Sequence, residues 1–297
     1  MARFTGLRLA RQYIRTIFRS HCASRKARNG IEAKKVETTS PKMNKTIHEF
    51  NRARWEAGAQ RWAECADRRG LWRRCPTEPS LVLSERELYW LQDIQNKSVC
   101  VLGSGDNQVV FALAGLGAHV TSVDISESQL EIAKRRAEEL KLNIEFMRAD
   151  VTELSEIPSG SFDLVYTGGH VAVWVSDIER YYREATRILK TNGLLIVSEY
   201  HPFRRIWKDS KTELIVGNDY YDRGPYEYLQ SEDILRPEEG KLKTYEFHWT
   251  FSDYLNAMIK SGCEILELDE FGNHVGDWEG SPLEGLPEFF MALGRKK

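Results

Sequence analysis

The sequence predicts an α/β fold: a doubly wound, mostly parallel sheet with helices on both faces. Two observations lead to this prediction. First, between residues 98 and 199 short apolar runs alternate with longer segments whose apolar residues recur at helical spacing. Strands alternating with helices imply right-handed crossovers and therefore a parallel sheet covered by helices. Second, the first apolar run leads into Gly103 and Gly105, a glycine pair placed where a strand turns into a helix.

Residues 1–42 differ in charge from the rest of the chain. They hold 11 Lys/Arg and 2 Asp/Glu, a net charge of +9, whereas the remaining residues carry −11. An Arg-rich, acid-poor amphipathic leader is typical of a mitochondrial transit peptide. We favour a basic tail, or sequence translated upstream of a start at Met43, over an import signal. All three interpretations place residues 1–42 outside the fold, and residues 43–297 are predicted to form one domain.

The composition limits the cell compartments and the classes of partner that fit this chain. The longest apolar run has ten residues, and a membrane-spanning helix needs about 20. An odd number of cysteines without CxxC spacing argues against a disulfide framework and a zinc site, and the scattered histidines suggest no other metal site. We therefore predict a cytoplasmic protein, or a mitochondrial matrix protein if the leader directs import. The acidic body argues against a nucleic-acid partner.

A helical cap is predicted before the sheet, within residues 43–80. Apolar residues recur at helical spacing from Thr46 to Arg68, and Trp55 and Trp62 lie on the apolar side. Pro76 and Pro79 then mark a linker.

The core is predicted over residues 95–200. Its strands are predicted at Ser98–Leu102, His119–Val123, Asn143–Met147, Phe162–Tyr166 and Leu194–Glu199. Its helices are predicted at Asn107–Leu116, from the capping box of Ser126 and Gln129 to Leu140, and at Ser176–Lys190.

The alternation of strands and helices stops after Tyr200. Residues 201–250 form an aromatic-rich insert that we expect to cover the substrate. In the C-terminal part of the sheet, residues 251–297, Ser252 is predicted to cap a helix that ends at Gly262. Two final strands are predicted at Glu264–Asp269 and Phe289–Leu293.

The ends of the first three strands carry residues suited to a nucleoside. Glycines at a strand-to-helix turn let a ligand approach the backbone and the helix N-terminus. Asp124, at the end of the second strand, can accept hydrogen bonds from a ribose. Asp150 follows the third strand and can accept from an adenine amino group, while the backbone N–H of Val151 can donate to a ring nitrogen. Together they predict a nucleoside site at the carboxyl edge of the sheet.

These motifs resemble those of the class I S-adenosylmethionine-dependent methyltransferases, most closely the small-molecule branch of ubiquinone and menaquinone biosynthesis. The resemblance covers residues 95–200 well and 250–297 loosely. The motifs that carry it are Val101-Leu102-Gly103-Ser104-Gly105, Val123-Asp124-Ile125-Ser126, Arg148-Ala149-Asp150-Val151, Ser161-Phe162-Asp163-Leu164-Val165 and Ile188-Leu189-Lys190 with Gly193-Leu194-Leu195-Ile196. It implies a seven-stranded sheet whose last strand, fitted by Phe289–Leu293, runs antiparallel.

The sequence departs from the family pattern at three places. Val101 stands where the family usually has an acidic residue, which helps to hold the methionine end of the cofactor there. Asn107 stands where a third glycine is usual, and Thr191-Asn192 where Pro-Gly is usual. The change at Asn107 is mild, since asparagine tolerates positive φ.

The resemblance implies an enzyme that uses S-adenosyl-L-methionine to methylate a small, partly apolar acceptor. The cofactor-binding residues it implies are Gly103, Ser104, Gly105, Asn107, Asp124, Ile125, Asp150, Val151, Thr167 and Gly168. His170 is a candidate general base, although a wall residue hydrogen-bonded to backbone is the simpler interpretation. Candidate acceptor contacts are Trp55, Tyr200, His201 and Arg204.

Other functions remain open on the sequence alone. One is a catalytically silent cofactor-binding module that acts through partners. Another is a methyltransferase of nucleic acids or proteins, which would need a basic or open docking face. A nicotinamide-dependent dehydrogenase ranks lower, because Gln108 occupies the sixth position of the GxGxxG fingerprint.

Overall fold

The computed structural model describes residues 34–35, 41–105, 108–208, 212–229, 242–272 and 280–297. The helices are α1 Pro41–Arg69, α2 Leu71–Arg74, α3 Glu85–Trp90, α4 Gln108–Gly115, α5 Glu127–Leu140, α6 Ile178–Ile188 and α7 Phe251–Lys260. The strands are β1 Ser98–Leu102, β2 His119–Asp124, β3 Ile144–Arg148, β4 Phe162–Gly168, β5 Leu189–Tyr200, β6 Tyr226–Leu229, β7 Lys243–Glu246, β8 Cys263–Phe271 and β9 Phe289–Lys296. Short 3₁₀ turns lie at Pro79–Leu81, Ala172–Trp174 and Pro202–Arg205.

Seven of these strands form one sheet in the order β3-β2-β1-β4-β5-β9-β8. The first five are parallel to one another, and β9 runs antiparallel to both β5 and β8. This confirms the predicted fold class, including the antiparallel last strand.

The central strands are apolar on both sides because helices cover both faces of the sheet. In β1, Val99 and Val101 belong to one buried cluster, whereas Cys100 and Leu102 belong to the other. Successive side chains point to opposite faces, so a continuous apolar run such as Ser98–Leu102 fits a strand buried on both sides.

A second, smaller sheet is built from part of the insert. Strands β6 and β7 pair antiparallel, and Lys34–Lys35 pairs with β6 on the other side. These two lysines lie within the predicted leader, and α1 begins at Pro41, two residues before the predicted boundary at Met43.

Three local details differ from the sequence prediction. The hydroxyl of Ser126 caps α5 as predicted, but its N–H donates to Asp124 rather than to Gln129, so no reciprocal box forms. Helix α7 is capped by Thr250, not Ser252, in a capping box with Asp253. Strand β5 begins at Leu189, directly after α6, because Leu189 already pairs with β4 through Phe162 across a bulge.

The described residues contain no helix long and apolar enough to cross a membrane, and no cluster of metal-binding side chains. Cys75, Cys100 and Cys263 are buried free thiols, whereas Cys65 takes part in a disulfide. The sequence argued against a disulfide framework. An odd count excludes complete pairing of the cysteines but permits a single bridge.

Candidate active site

Helix α1 crosses the carboxyl edge of the parallel strands and is fastened there by polar side chains. The Asn51 amide donates to the carbonyls of Trp174 and Tyr245, at 3.1 and 3.0 Å, and accepts from the Tyr245 N–H at 2.8 Å. The Glu56 carboxylate accepts from the N–H groups of Glu127 and Ser128, at 2.7 and 3.0 Å, where α5 begins. The predicted helical cap is therefore a strap over the strand ends.

A cavity lies between this strap and the sheet. Its wall includes nine of the residues that the sequence predicts for the site. They are Gly103, Ser104, Gly105, Asp124, Ile125, Asp150, Val151, Trp55 and His170. The ends of β1, β2 and β3 thus meet α1 in one cavity.

Gly103 begins the turn after β1 with φ of 65°, a left-handed conformation that favours glycine. A Cβ atom built at this position would lie 2.4 Å from Cγ2 of Val171, on the loop that follows β4. The two loops therefore approach too closely for any side chain at position 103.

Asp124 holds the turn in place through both carboxylate oxygens. Oδ2 accepts from the Gly105 N–H and Oδ1 from the Ser126 N–H, each at 2.8 Å. Because each carboxylate oxygen can accept two hydrogen bonds, this engagement is compatible with a ribose that also donates to Asp124.

Asp150 lies at the other end of the row of strand tips. Its Oδ1 accepts from the backbone N–H and hydroxyl of Thr152, at 2.9 and 2.8 Å. Its Oδ2 lies 2.6 Å from Nδ1 of His48 on α1. Burial raises the pKa of Asp150, but the bonds from His48 and Thr152 outweigh burial, so its pKa is below the usual value.

Three tryptophans give the cavity an aromatic wall. Trp55 packs against Trp62 and Trp174, with ring centroids 4.9 and 5.3 Å away, and all three line the cavity. The guanidinium of Arg54 lies 4.5 Å from the Trp174 ring and 4.9 Å from the Trp55 ring, within cation–π distance. This wall is apolar with a positive charge behind it.

Tyr166 and Ser198 line the cavity from β4 and β5. The Tyr166 hydroxyl donates to Glu87 Oε1 at 2.5 Å, and Glu87 Oε2 also accepts from the N–H and hydroxyl of Ser84. Glu87 is fully buried. Tyr166 and Val101 are register partners on adjacent strands. The Glu87 carboxylate therefore bonds to the strand neighbour of Val101, the residue that stands where the methyltransferase family usually has an acidic side chain.

Three predicted acceptor contacts do not line the cavity. Tyr200 stacks on His170 with ring planes 2° apart, and Arg204 lies over the Tyr200 ring while pairing with the buried Glu288. His201 is 3% exposed and lies 2.8 Å from Glu270; burial lowers its pKa, against the opposing effect of Glu270. Tyr200 and Arg204 therefore lie behind His170, which lines the cavity.

The remaining predicted residues are placed as follows. Thr167 and Gly168 end β4 but do not line the cavity, where Gly169, His170 and Val171 do. His170 has φ of 71°, so the chain turns sharply there. Asn107 lies outside the described residues.

Sequence reasoning missed His48, Glu87 and Tyr166. The apolar spacing of α1 shows which face packs inward, but not that a histidine on this face meets an aspartate 102 residues away. Glu87 had one signal, its place three residues after Ser84 in a capping box, although that pattern does not predict a partner across the sheet.

Comparison with known proteins identifies the same class of relatives throughout. A family model described as "Methyltransferase domain" matches residues 100–197. The chain is 29% identical over 177 residues to the uncharacterized methyltransferase YbaJ of Bacillus subtilis, covering 58% of this chain and 68% of that protein. It is 32% identical over 152 residues to the ubiquinone biosynthesis O-methyltransferase of Coxiella burnetii, covering 49% of this chain and 60% of that protein. The chain thus spans roughly three fifths to two thirds of these curated relatives.

Solved structures of methyltransferases share the fold of this chain. An S-adenosylmethionine-dependent methyltransferase from Mesorhizobium loti is 25% identical, with a TM-score of 0.53 over 69% of this chain and 93% of that one. A methyltransferase from Methanosarcina mazei, 18% identical with a TM-score of 0.52 over 72% of this chain and 98% of that one, shares the fold.

Proposed function

Because the chain belongs to the class I S-adenosylmethionine-dependent methyltransferases, we propose that it methylates a small, partly apolar acceptor. The observation that carries this proposal is the single cavity in which the ends of β1–β3 meet the tryptophan wall of α1. A cavity partly covered by a helix suits a small acceptor better than a macromolecule. The net charge of −11 outside residues 1–42 also argues against nucleic acid as substrate.

The residues of the cavity fit the cofactor. Gln129 lines the cavity, and its Oε1 is buried without a hydrogen-bond partner among the described residues. This atom and the Asp124 carboxylate can accept hydrogen bonds from ribose hydroxyls, and Asp150 can accept from the adenine amino group. The sulfonium group supplies both the methyl group and its own leaving group, so the protein contributes mainly alignment and exclusion of water.

The order of strands in the sheet suggests where the acceptor binds. Asp150, Asp124 and Gly103 lie at the carboxyl ends of β3, β2 and β1, and β4 and β5 come next across the sheet. The acceptor is therefore proposed to bind beside Tyr166, Ser198 and His170, facing the tryptophan wall.

A hydroxyl acceptor would have to lose a proton as it is methylated. The Tyr166 hydroxyl can take up that proton while passing its own to Glu87 Oε1, to which it already donates. His170 remains an alternative base. The curated relatives include enzymes named O-methyltransferases, so hydroxyl acceptors come first among those to test.

The test uses the full chain. Calorimetric titration with S-adenosylmethionine and S-adenosylhomocysteine, with NADH as the control, is followed by an assay of S-adenosylhomocysteine release over matched hydroxyl, amine and thiol acceptors. We expect both sulfur nucleotides to bind and NADH not to bind. Asp124→Ala should weaken binding by about 1–3 kcal/mol, the loss expected for hydrogen bonds to a charged group.

Each alternative function gives a different result. Cofactor binding with no turnover over the whole panel would support the silent binding module, and binding of NADH alone would support the dehydrogenase. Unchanged affinity in Asp124→Ala would remove the ribose assignment. Asp124→Asn is the matched variant, because it keeps the shape of the side chain but removes its charge.

A further inference from the structure

His48 joins helix α1 to the end of the cavity that contains Asp150. The side chain is 6% exposed and lines the cavity together with Asp150. Its Nδ1 lies 2.6 Å from Asp150 Oδ2, and its Nε2 lies 3.0 Å from both the backbone nitrogen and the hydroxyl of Ser176. One imidazole therefore bridges the strap, the end of β3 and the turn before α6.

These contacts fix the tautomer of His48. A backbone N–H can only donate, so the bond from the Ser176 N–H requires Nε2 to be unprotonated. The ring proton is then on Nδ1, and Nδ1–H donates to Asp150. In this arrangement Nδ1 is the donor and Asp150 Oδ2 is the acceptor.

The same contacts define which acceptor positions of Asp150 a ligand can use. Oδ1 already accepts two hydrogen bonds, from the N–H and the hydroxyl of Thr152. Oδ2 accepts one, from His48. A carboxylate oxygen has two acceptor positions, so the one left on Oδ2 faces a direction set by the imidazole.

We propose that His48 is the residue of helix α1 that completes the adenine subsite, by orienting Asp150 Oδ2 to accept from the 6-amino group. The inference rests on the proposed function, which assigns Asp150 to adenine. His48 acts as a positioning and specificity-determining residue, because it touches the carboxylate that reads the base. It selects a base with a donor at position 6 over one with an acceptor there.

The arrangement also couples the cofactor to the strap. The contact that orients Asp150 is one of the contacts that dock α1, alongside those of Asn51. If a ligand binds more tightly when α1 is docked than when it is undocked, then binding of that ligand must favour the docked helix by the same factor. Binding of the adenosyl group should therefore slow hydrogen exchange in α1.

Two ligands and two variants test the proposal. S-adenosylhomocysteine carries the 6-amino group, and S-inosylhomocysteine carries an oxygen acceptor in its place. His48→Asn keeps a donor near Nδ1, whereas His48→Gln keeps a polar group near Nε2 and loses the donor to Asp150. The measured quantity is the ratio of the two dissociation constants, obtained by calorimetry on the full chain.

We expect the wild type and His48→Asn to prefer the adenine ligand by similar ratios. His48→Gln should lose about tenfold of this preference, the scale of one hydrogen bond to a charged group. Asn51→Ala is the control for weaker docking of helix α1. It should weaken both ligands alike and leave the ratio unchanged, because Asn51 does not contact Asp150.

The contrary results are also distinct. An unchanged ratio in His48→Gln, or an equal fall in both affinities as for Asn51→Ala, would overturn the role of His48 and leave only helix docking. If the wild type bound S-adenosylhomocysteine without discriminating against the inosyl analogue, the adenine assignment of Asp150 would fail. If the wild type bound neither ligand, the proposed function would fail first.

Discussion

Glu199 shows how a single buried carboxyl group can make stability depend on pH. Its side chain is 1% exposed, and Oε1 accepts from the Ala172 N–H at 3.1 Å, beside the loop that carries His170. Burial raises the pKa of Glu199 to about 8, although the Ala172 N–H and Arg205 partly oppose it. At neutral pH this group therefore keeps its proton in the folded protein.

Glu199→Gln should remove a pH-dependent loss of stability. In the unfolded chain a glutamate loses its proton near pH 4.3, whereas the folded carboxyl keeps it up to about pH 8. Between these values the unfolded state binds fewer protons, so wild-type stability falls with rising pH, by at most about 1.4 kcal/mol per unit. Glutamine cannot titrate, so the variant should gain on the wild type from pH 5 to pH 8.

Urea unfolding of both proteins at four pH values in this range measures the difference directly. Glu85→Gln, at an exposed position on α3, is the matched control. A difference between wild type and Glu199→Gln that stays constant with pH would contradict a raised pKa at Glu199.

At the scale of elements, the turn after β1 depends on its fit to the loop after β4. Gly103→Ala should destabilise the fold, because a left-handed residue with a Cβ costs about 1–2 kcal/mol and because the new atom meets Val171. It should also weaken S-adenosylhomocysteine binding, since Gly103 and Val171 both line the cavity.

Val171→Ala in the same chain should restore part of the loss. It removes the two Cγ atoms at 2.4 and 2.8 Å from the added Cβ and leaves only Cβ of residue 171, at 3.2 Å. A double-mutant cycle of unfolding free energies checks this. Strict additivity would show that the backbone conformation, not the contact, is the cause.

The core of the sheet was predictable because its signals are local. Strand β1 has the predicted bounds, and Asp124 and Asp150 lie at strand ends in the cavity, as their spacing predicted. Binary pattern and glycine placement encode such features within a few residues.

Contacts made across the sheet were not predictable in this way. Arg204 was a candidate acceptor contact, but it pairs with Glu288, 84 residues away, through a turn whose path no local pattern encodes. The hydrogen bonds from His48 to Asp150 and from Tyr166 to Glu87 were not predicted from the sequence for the same reason. Propensity and periodicity do not report the pairing of distant side chains.

At the scale of the whole molecule, helix α1 links parts of the chain that the sheet alone does not hold together. It contacts the strand ends through His48, the insert through Asn51 and the start of α5 through Glu56. The insert in turn pairs with Lys34–Lys35, upstream of α1. The insert therefore supports the helix that covers the cavity, whereas no described residue of the insert is among those lining the cavity.

The basic leader can be tested against this architecture by comparing chains that lack residues 1–33 or 1–42 with the full chain. We expect both to keep the fold and to bind S-adenosylhomocysteine, because among the described residues the strand pairing lost is that of Lys34 and Lys35 at the edge of the small sheet. Melting temperature and calorimetry under reducing conditions, which remove the disulfide at Cys65, provide the measurements. A lower melting temperature only in the shorter chain would assign stability to the residue 34–35 strand and the start of α1. A decrease in both chains would place the basic leader itself within the folded structure.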